Sequence, residues 1–343
     1  MRESEVQIGN SGQKIFLKEL RERRVREGRM RIIQIFAFVA ALCVSTLVRA
    51  QDESQAVNRS QYASREIAPD PSVNNCTNQP HSLAQMKGNL YRWVGGPGGG
   101  YTGFVLTSPE GALVVDAGGT CNARWLLDEI KTQLKVPVKY VILSHAHFDH
   151  IGGAQVFQQA GATVISQKNA LEPIIGDKLP TAVPDRVFEN QMKLTFGGEN
   201  AILYYVGPSH SNSMTLVYFP TYKALQCVDV CEAGRALPFN DFPDFYYEGF
   251  IATLDWVIKQ DVDTINTGHG MGTKEDQQVA RDYMINLHDQ VLALVRKGEE
   301  WDHLYRDVKF TDEQKKYPNY DANHILNILG MYRYVSEHHR GVW

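Results

Sequence analysis

Short apolar runs punctuated by turn formers dominate the middle of the chain. Residues 138–143 are almost wholly apolar, which predicts a buried strand. Residues 111–115, 201–205, 222–224 and 262–265 are further β-type runs, each followed by glycine, proline, serine or aspartate within a few positions. Residues 123–130 have apolar positions at helical spacing and read as scaffold. In residues 273–296, Val279, Tyr283, Leu287, Val291 and Leu294 line one face, which predicts an amphipathic helix packed on the fold. Residues 298–343 read as more helices with a Tyr- and His-bearing tail. His338 and His339 there are expected to be solvated. Residues 32–48 differ from all of these: the run is apolar, carries no charge, and follows a basic patch of Arg21, Arg23, Arg24, Arg26 and Arg29.

Candidate chemistry concentrates just after the strand at 138–143. His145, His147, Asp149 and His150 place four metal-competent side chains within six residues, and residues 151–154 lead into a helix. The cluster therefore sits on a strand-to-helix loop, where open α/β sheets build their sites. Two imidazoles one residue apart and an adjacent Asp-His pair face different directions, which suits two metal ions better than one. Imidazole and carboxylate donors favour zinc, with iron or manganese as alternatives. The bland reading is a His-rich surface loop, but the chain has only 11 His and three of them are here.

Three more residues follow β-type runs: His210 after 201–205, Asp229 after 222–224 and His269 after 262–265. Singly, each reads as an ordinary loop residue. With the motif H-x-H-x-D-H ahead of them, the set resembles the metallo-β-lactamase superfamily over residues 88–275. The resemblance implies an α+β fold, a four-layer αβ/βα sandwich of two mixed sheets flanked by helices, with a C-terminal helical extension over 276–343. It implies one metal on His145, His147 and His210, a second on Asp149, His150 and His269, and Asp229 bridging both. Two Zn2+ ions are then the expected cofactors, and a hydroxide held by them the nucleophile. Asp149 doubles as ligand and orienter of that hydroxide. Asp116, in the early Asp-x-Gly turn, is a candidate to orient a ligand imidazole or, equally, to cap the next helix. The β-lactamases with Cys or Ser at the position of Asp229 do not match. A bridging Asp is more typical of glyoxalase-II-like thioesterases and lactonases. The function implied is hydrolysis of a small-molecule ester, thioester, lactone or β-lactam. An iron-dependent oxidoreductase of the same fold, acting on persulfides or oxygen, is the alternative, and a non-catalytic binding protein the third reading.

Composition narrows the setting. Hydrophobic residues make up 43% of the chain, with 16 Tyr, 14 Phe and 5 Trp, enough for a substantial core. The basic patch, the apolar run 32–48 and small or apolar residues at Val48 and Ala50 read as a signal peptide cleaved after Ala50. The basic region is long for such a peptide, and a start at Met30 leaves a more ordinary one. An uncleaved membrane anchor is the alternative, since 17 apolar residues approach the length of a span. Either way the catalytic part is expected to be exported, periplasmic or secreted. Residues 1–50 hold ten Lys/Arg and five Asp/Glu, and removing that net +5 from the chain's −4 leaves −9. So acidic a body argues against nucleic-acid partners. Residues 51–87 read as a polar leader. Cys43 falls in the signal segment, and Cys76, Cys121, Cys227 and Cys231 allow up to two disulfides whose pairing stays open. Near the site, the glycine-rich residues 95–101 are either a loop closing over substrate or a plain β-turn. The aromatic-rich residues 238–247 are either a pocket wall or core.

Overall fold

The computed structural model describes residues 54–234, 237 and 246–338. The expected signal segment, most of the aromatic stretch 238–247 and His339 lie outside the described residues. Fourteen strands are described: β1 Gln55–Ala56, β2 Ser82–Lys87, β3 Leu90–Gly95, β4 Tyr101–Ser108, β5 Gly111–Val115, β6 Val138–Ile142, β7 Thr163–Gln167, β8 Arg186–Phe188, β9 Gln191–Phe196, β10 Glu199–Tyr204, β11 Leu216–Phe219, β12 Ala224–Gln226, β13 Thr264–Asn266 and β14 Met271–Gly272. The helices are α1 Gly119–Glu129, α2 Phe148–Ile151, α3 Ala154–Gln159, α4 Leu171–Gly176, α5 Tyr247–Lys259, α6 Lys274–Val295, α7 Trp301–Asp307 and α8 Tyr320–His338.

The strands form two mixed sheets, in the orders β1-β8-β7-β6-β5-β4-β3-β2 and β14-β13-β12-β11-β10-β9. In the first, β5 to β8 run parallel to one another and β2 to β4 antiparallel. In the second, only β12 and β13 pair in parallel. Strand alternation assigns the layers. In β5, Leu113 and Val115 face the second sheet, while Ala112 and Val114 face helices. The core between the sheets joins Phe104, Ile142 and Ile165 to Phe196, Leu203 and Phe219. Outside the first sheet, Leu126 and Ile130 pack with Phe157 of α3. Outside the second, Phe250, Leu254 and Val257 of α5 pack with Tyr283, Leu287 and Val291 of α6 and Met331 and Val335 of α8. The result is the expected helix-sheet-sheet-helix sandwich with C-terminal helices.

Two boundaries differ from the hydrophobic reading. Within residues 51–87, β1 pairs with β8, β2 pairs with β3, and Arg65 donates to the carbonyls of Ile174, Leu179 and Thr181. Arg59 pairs with Asp185, Asp70 accepts from the Thr120 amide and His81 stacks on Trp125, so the segment binds the domain through backbone and polar side chains, which a hydropathy pattern does not register. Cys76 and Cys121 form a disulfide with Cα atoms 5.3 Å apart, tying this segment to α1, and Cys227 and Cys231 are free and buried. The C-terminal helices are likewise part of the outer layer. Thr273 caps α6 in a reciprocal box with Asp276. Tyr283 of α6 donates to Asn327 of α8 (2.9 Å) and Tyr334 of α8 to Glu248 of α5 (2.7 Å). No described helix is long and apolar enough to cross a membrane.

Candidate metal centre

The ends of strands from both sheets meet at one edge of the sandwich. His145, His147, Asp149 and His150 follow β6, His210 follows β10, Asp229 follows β12 and His269 follows β13. The β6 loop turns at once into α2, with His147 as its N-cap and the His150 carbonyl accepting from the amides of Ala117 and Gly118. Gly153 then takes φ +83° between α2 and α3. A Cβ there would lie 2.5 Å from the backbone of Gly119, so only glycine permits this approach. The loops of the second sheet are tied together. The Asp229 amide donates to the Thr267 carbonyl (3.1 Å), and Thr102 of the first sheet donates to Asn266 Oδ1 (2.7 Å).

All seven residues expected from the sequence converge, in two groups. His145, His147, His210 and Asp229 form one, and Asp149, His150, His269 and Asp229 the other; within each group the ligand atoms lie within 4.8 Å of one another. Asp229 belongs to both. Its Oδ2 lies 3.0 Å from His150 Nε2, 3.4 Å from His210 Nε2 and 3.5 Å from His145 Nε2, and its Oδ1 lies 3.1 Å from His269 Nε2. Asp149 Oδ2 lies 3.2 Å from His150 Nε2 and 3.8 Å from His269 Nε2. His147 Nδ1 and His210 Nε2 are 3.0 Å apart.

The electrostatics follow from burial and from these pairs. Burial and the neighbouring His147 hold His145 well below the usual histidine range. Burial opposes charge on His150 too, but Asp229 and Asp149 outweigh it and hold its imidazole well above that range. Burial likewise disfavours a charged Asp229, and His150 outweighs it, leaving the carboxyl well below the usual range. The donor set fits a cation. The enclosed Nε2 atoms of His145 and His150 make no aligned hydrogen bond although a carboxylate oxygen is within 3.5 Å of each. Donors that crowd together without aligning to one another are arranged for a shared third partner, and imidazole with carboxylate is the donor chemistry of zinc and its neighbours.

Partners behind the imidazoles set their orientation. His145 Nδ1 meets Ser144 Oγ at 3.0 Å, and His269 Nδ1 meets the Gly100 carbonyl at 2.8 Å. The glycine-rich segment thus touches the site, through its backbone. Asp116 accepts from the Ser144 amide (2.8 Å) and does not cap the next helix, whose N-cap is Gly118; its Oδ2 lies 3.8 Å from His150 Nδ1, near that imidazole but beyond hydrogen-bond reach. Burial pushes the Asp116 carboxyl up to about 6.

The groups open into a cavity of about 570 Å3, also lined by Tyr101, Glu232, Leu237, Thr267, Asn319 and Asn323. The hydrophobic and motif patterns passed over Glu232, Asn319 and Asn323. Glu232 sits only three residues beyond Asp229, the one signal for it. The asparagines come from the C-terminal segment, far along the chain from every motif.

A four-layer sandwich with His/Asp groups at the meeting ends of its two sheets defines a metal-binding superfamily, and comparison with known proteins agrees. The chain belongs to the metallo-beta-lactamase superfamily, whose family model matches residues 95–269, about half of the chain. It is 23% identical over 179 residues to the metallo-beta-lactamase type 2 of Bacillus cereus, covering 49% of this chain and 66% of that protein. It is 26% identical over 180 residues to that of Elizabethkingia meningoseptica, covering 51% of this chain and 69% of that protein. A third relative, the 2,4-dinitroanisole O-demethylase subunit alpha of Nocardioides sp. (strain JS1661), is 24% identical over 203 residues, 56% of this chain and 61% of that one. The matches thus span about two thirds of these relatives' lengths. Among solved structures, a metallo-beta-lactamase from Pontibacter korlensis superposes with a TM-score of 0.56 at 21% identity, covering 60% of this chain and all of that one. The metallo-beta-lactamase FIM-1 of Pseudomonas aeruginosa in its mono-zinc form gives 0.51 at 15% identity, covering 60% and 95%.

Proposed function

We propose that this protein is a metal-dependent hydrolase that takes two zinc ions and cleaves an ester, thioester, lactone or β-lactam in a small molecule. The observation that carries the reading is the pair of ligand groups sharing Asp229 at the floor of an open cavity. His145, His147 and His210 would hold one ion and Asp149, His150 and His269 the other, with Asp229 between them. Such ions supply Lewis acidity and lower the pKa of water toward about 7.

The chain's own groups then orient and move protons. Asp149 is one-third exposed to the cavity, and its carboxyl is held below the usual range by His150 against the effect of burial. It stays ionised at neutral pH and is placed to accept a proton from an attacking water. Tyr101 stands at the rim, edge-on to His269 with ring centres 5.8 Å apart. Burial and the nearby Asp149 raise its hydroxyl above the usual range, so it remains a donor for a substrate carbonyl or leaving group. Asp229, rather than a thiol or hydroxyl, at the shared position supports esters, thioesters and lactones at least as well as β-lactams. The iron oxidoreductase is not favoured, since the family model and the β-lactamase relatives point to hydrolysis.

The zinc-loaded protein should turn over at least one member of a panel of nitrocefin, homoserine lactones, acyl thioesters and phosphoesters. Inertness toward all of them with two zinc ions bound, or oxygen uptake by an iron-loaded form, would overturn the reading. Export is part of the same proposal. The Cys76–Cys121 disulfide supports an oxidising compartment. N-terminal sequencing of the exported chain should begin at Gln51, and a membrane-bound chain retaining residues 32–50 would show an anchor instead.

A further inference from the structure

Strand β4 outruns its neighbour. Its register with β5 covers Val105 to Ser108, so residues 101–104 continue past that pairing. Groups of the second sheet meet the backbone there. Gln226 of β12 accepts from the Phe104 amide (3.1 Å) and donates to the Thr102 carbonyl (3.3 Å). The Thr102 amide donates to the Gly268 carbonyl (2.7 Å). Asn266, the last residue of β13, accepts through Oδ1 from the Thr102 hydroxyl (2.7 Å) and from the Gly268 amide (3.0 Å).

Both backbone groups of Gly268 are therefore held by Thr102 and Asn266, and the next residue is His269. Gly268 has φ +86°, and a Cβ there would lie 2.6 Å from Val228 Cγ1 and 3.0 Å from His150 Cε1. The turn is thus pressed against the imidazole of another member of the same ligand group. Two residues before Thr102, the Gly100 carbonyl lies 2.8 Å from His269 Nδ1. A carbonyl only accepts, so Nδ1 carries the proton and Nε2 is the atom left for an ion. Thr102, Gln226 and Asn266 are all buried, and Asn266 Nδ2 has no partner among the described residues. An apolar pair of like shape would join the two sheets without that unmet donor. It could not hold the Gly268 amide.

We propose that Thr102 and Asn266 are positioning residues for His269. Their hydrogen bond carries the placement of β4 to the Gly268 turn and so fixes where the His269 imidazole stands. An ion on Asp149, His150, His269 and Asp229 then depends on a side-chain pair outside the ligand set, and an ion on His145, His147 and His210 does not. The consequence for the ion rests on the two-metal reading; the ordering of the turn does not. Thr102→Val removes the hydroxyl but keeps the shape and the main-chain bonds, including those that tie the Asp229 turn to β13. Thr102→Ser keeps the hydroxyl.

Competition of the full chain with a chromogenic chelator for zinc reads the two ions separately. Thr102→Val should weaken one ion about tenfold or more, the range for a group behind a metal-bound histidine. The other ion should shift by less than about twofold, and Thr102→Ser should behave as wild type. In a His269→Ala background, which leaves the other group, Thr102→Val should have no effect; in a His210→Ala background its full effect should remain. An effect that persists without His269, equal weakening of both ions, or wild-type affinity in Thr102→Val would each overturn the assignment. A second arm needs no metal. In chelated protein followed by NMR, solvent exchange of the Gly268 amide should quicken about threefold or more in Thr102→Val and in Asn266→Ala, while amides of β6 keep their wild-type rates. Unchanged exchange at Gly268, or equal quickening in β6, would overturn the positioning role. If wild type takes up no ion on the His269 group, the two-metal reading fails, and the exchange arm still decides whether the pair orders the turn.

Discussion

Because Asp229 is common to both ligand groups, losing it should differ in kind from losing any histidine. His145 and His210 belong to one group only and His269 to the other. Wild type should hold about two metal ions per chain, His145→Ala and His269→Ala about one each, and Asp229→Ala none tightly. A ligand that binds only the folded state at a hundredfold excess over its Kd adds about 2.7 kcal/mol of stability. For a domain of this size 1 kcal/mol moves Tm by about 2–4 °C. Each ion should therefore raise Tm by about 5–10 °C, and wild type should gain about twice what either histidine variant gains. The assay is elemental analysis after dialysis, paired with thermal unfolding of chelated and zinc-loaded samples. Every variant needs its own chelated baseline, because Asp229 also pairs with His150 at 3.0 Å and its loss destabilises the metal-free chain. A wild-type stoichiometry of one that Asp229→Ala leaves unchanged would refute the shared-ligand geometry. So would equal loss of both ions in all three variants.

Other predictions follow from single side chains. Asp149→Asn, with full metal content verified, should lower kcat on the order of 10²-fold or more while KM changes little; near-normal kcat would mean that the attacking water is deprotonated elsewhere. In chelated protein, Asp116 has a folded pKa of about 6 against an ordinary 3.8, so the native state binds the extra proton in that window. Its contribution to stability is therefore lost as pH rises from about 4 to about 6. Asp116→Asn should flatten that slope in urea titrations, and an unchanged slope would place the titration elsewhere. Gly153→Ala should cost about 2 kcal/mol or more in denaturant unfolding, from a positive φ and a backbone clash together.

Much of the candidate site was legible because a metal centre would need particular atoms at particular strand ends. His145, His147, Asp149 and His150 sit within six residues, so local spacing alone announced them. His210, Asp229 and His269 each followed a β-type run, so topology could be guessed before contacts were known. The sandwich followed from the same resemblance, and alternation along β9, with buried Met192, Leu194 and Phe196 between exposed neighbours, agrees with it. What stayed hidden depends on distance along the chain. Asn319 reaches Leu237 across 82 positions, and Gln277 reaches Glu232 across 45. Both side chains act on backbone groups, which every residue carries, so nothing at the receiving end marks the pairing. The packing of residues 55–87 was hidden for a related reason: strand pairing, Arg65 on main-chain carbonyls, the Cys76–Cys121 disulfide and polar contacts such as Arg59 with Asp185 hold it, and none of these leaves a hydrophobic pattern.

Backbone strain marks the site a second time, independently of its donors. Among the described residues only five that are not glycine have positive φ, and two of them are Asp116 (61°) and Asp229 (58°). A left-handed conformation costs an ordinary residue roughly 1–2 kcal/mol, though aspartate tolerates it better than most. Asp116 stands at the end of β5 and Asp229 shortly after β12, where each chain leaves its sheet. In an extended continuation, successive side chains would alternate across the sheet. The left-handed step instead turns the chain at once, and Asp229 meets four imidazoles within 3.5 Å. The strain is sustained by two ties leading into the turn: the Asp229 amide bonds to the Thr267 carbonyl and the Cys227 amide to the Asn266 carbonyl, locking it to β13 and the loop that follows. The shared carboxylate is therefore positioned by the fold before any ion arrives, and metal binding need not pay to order it.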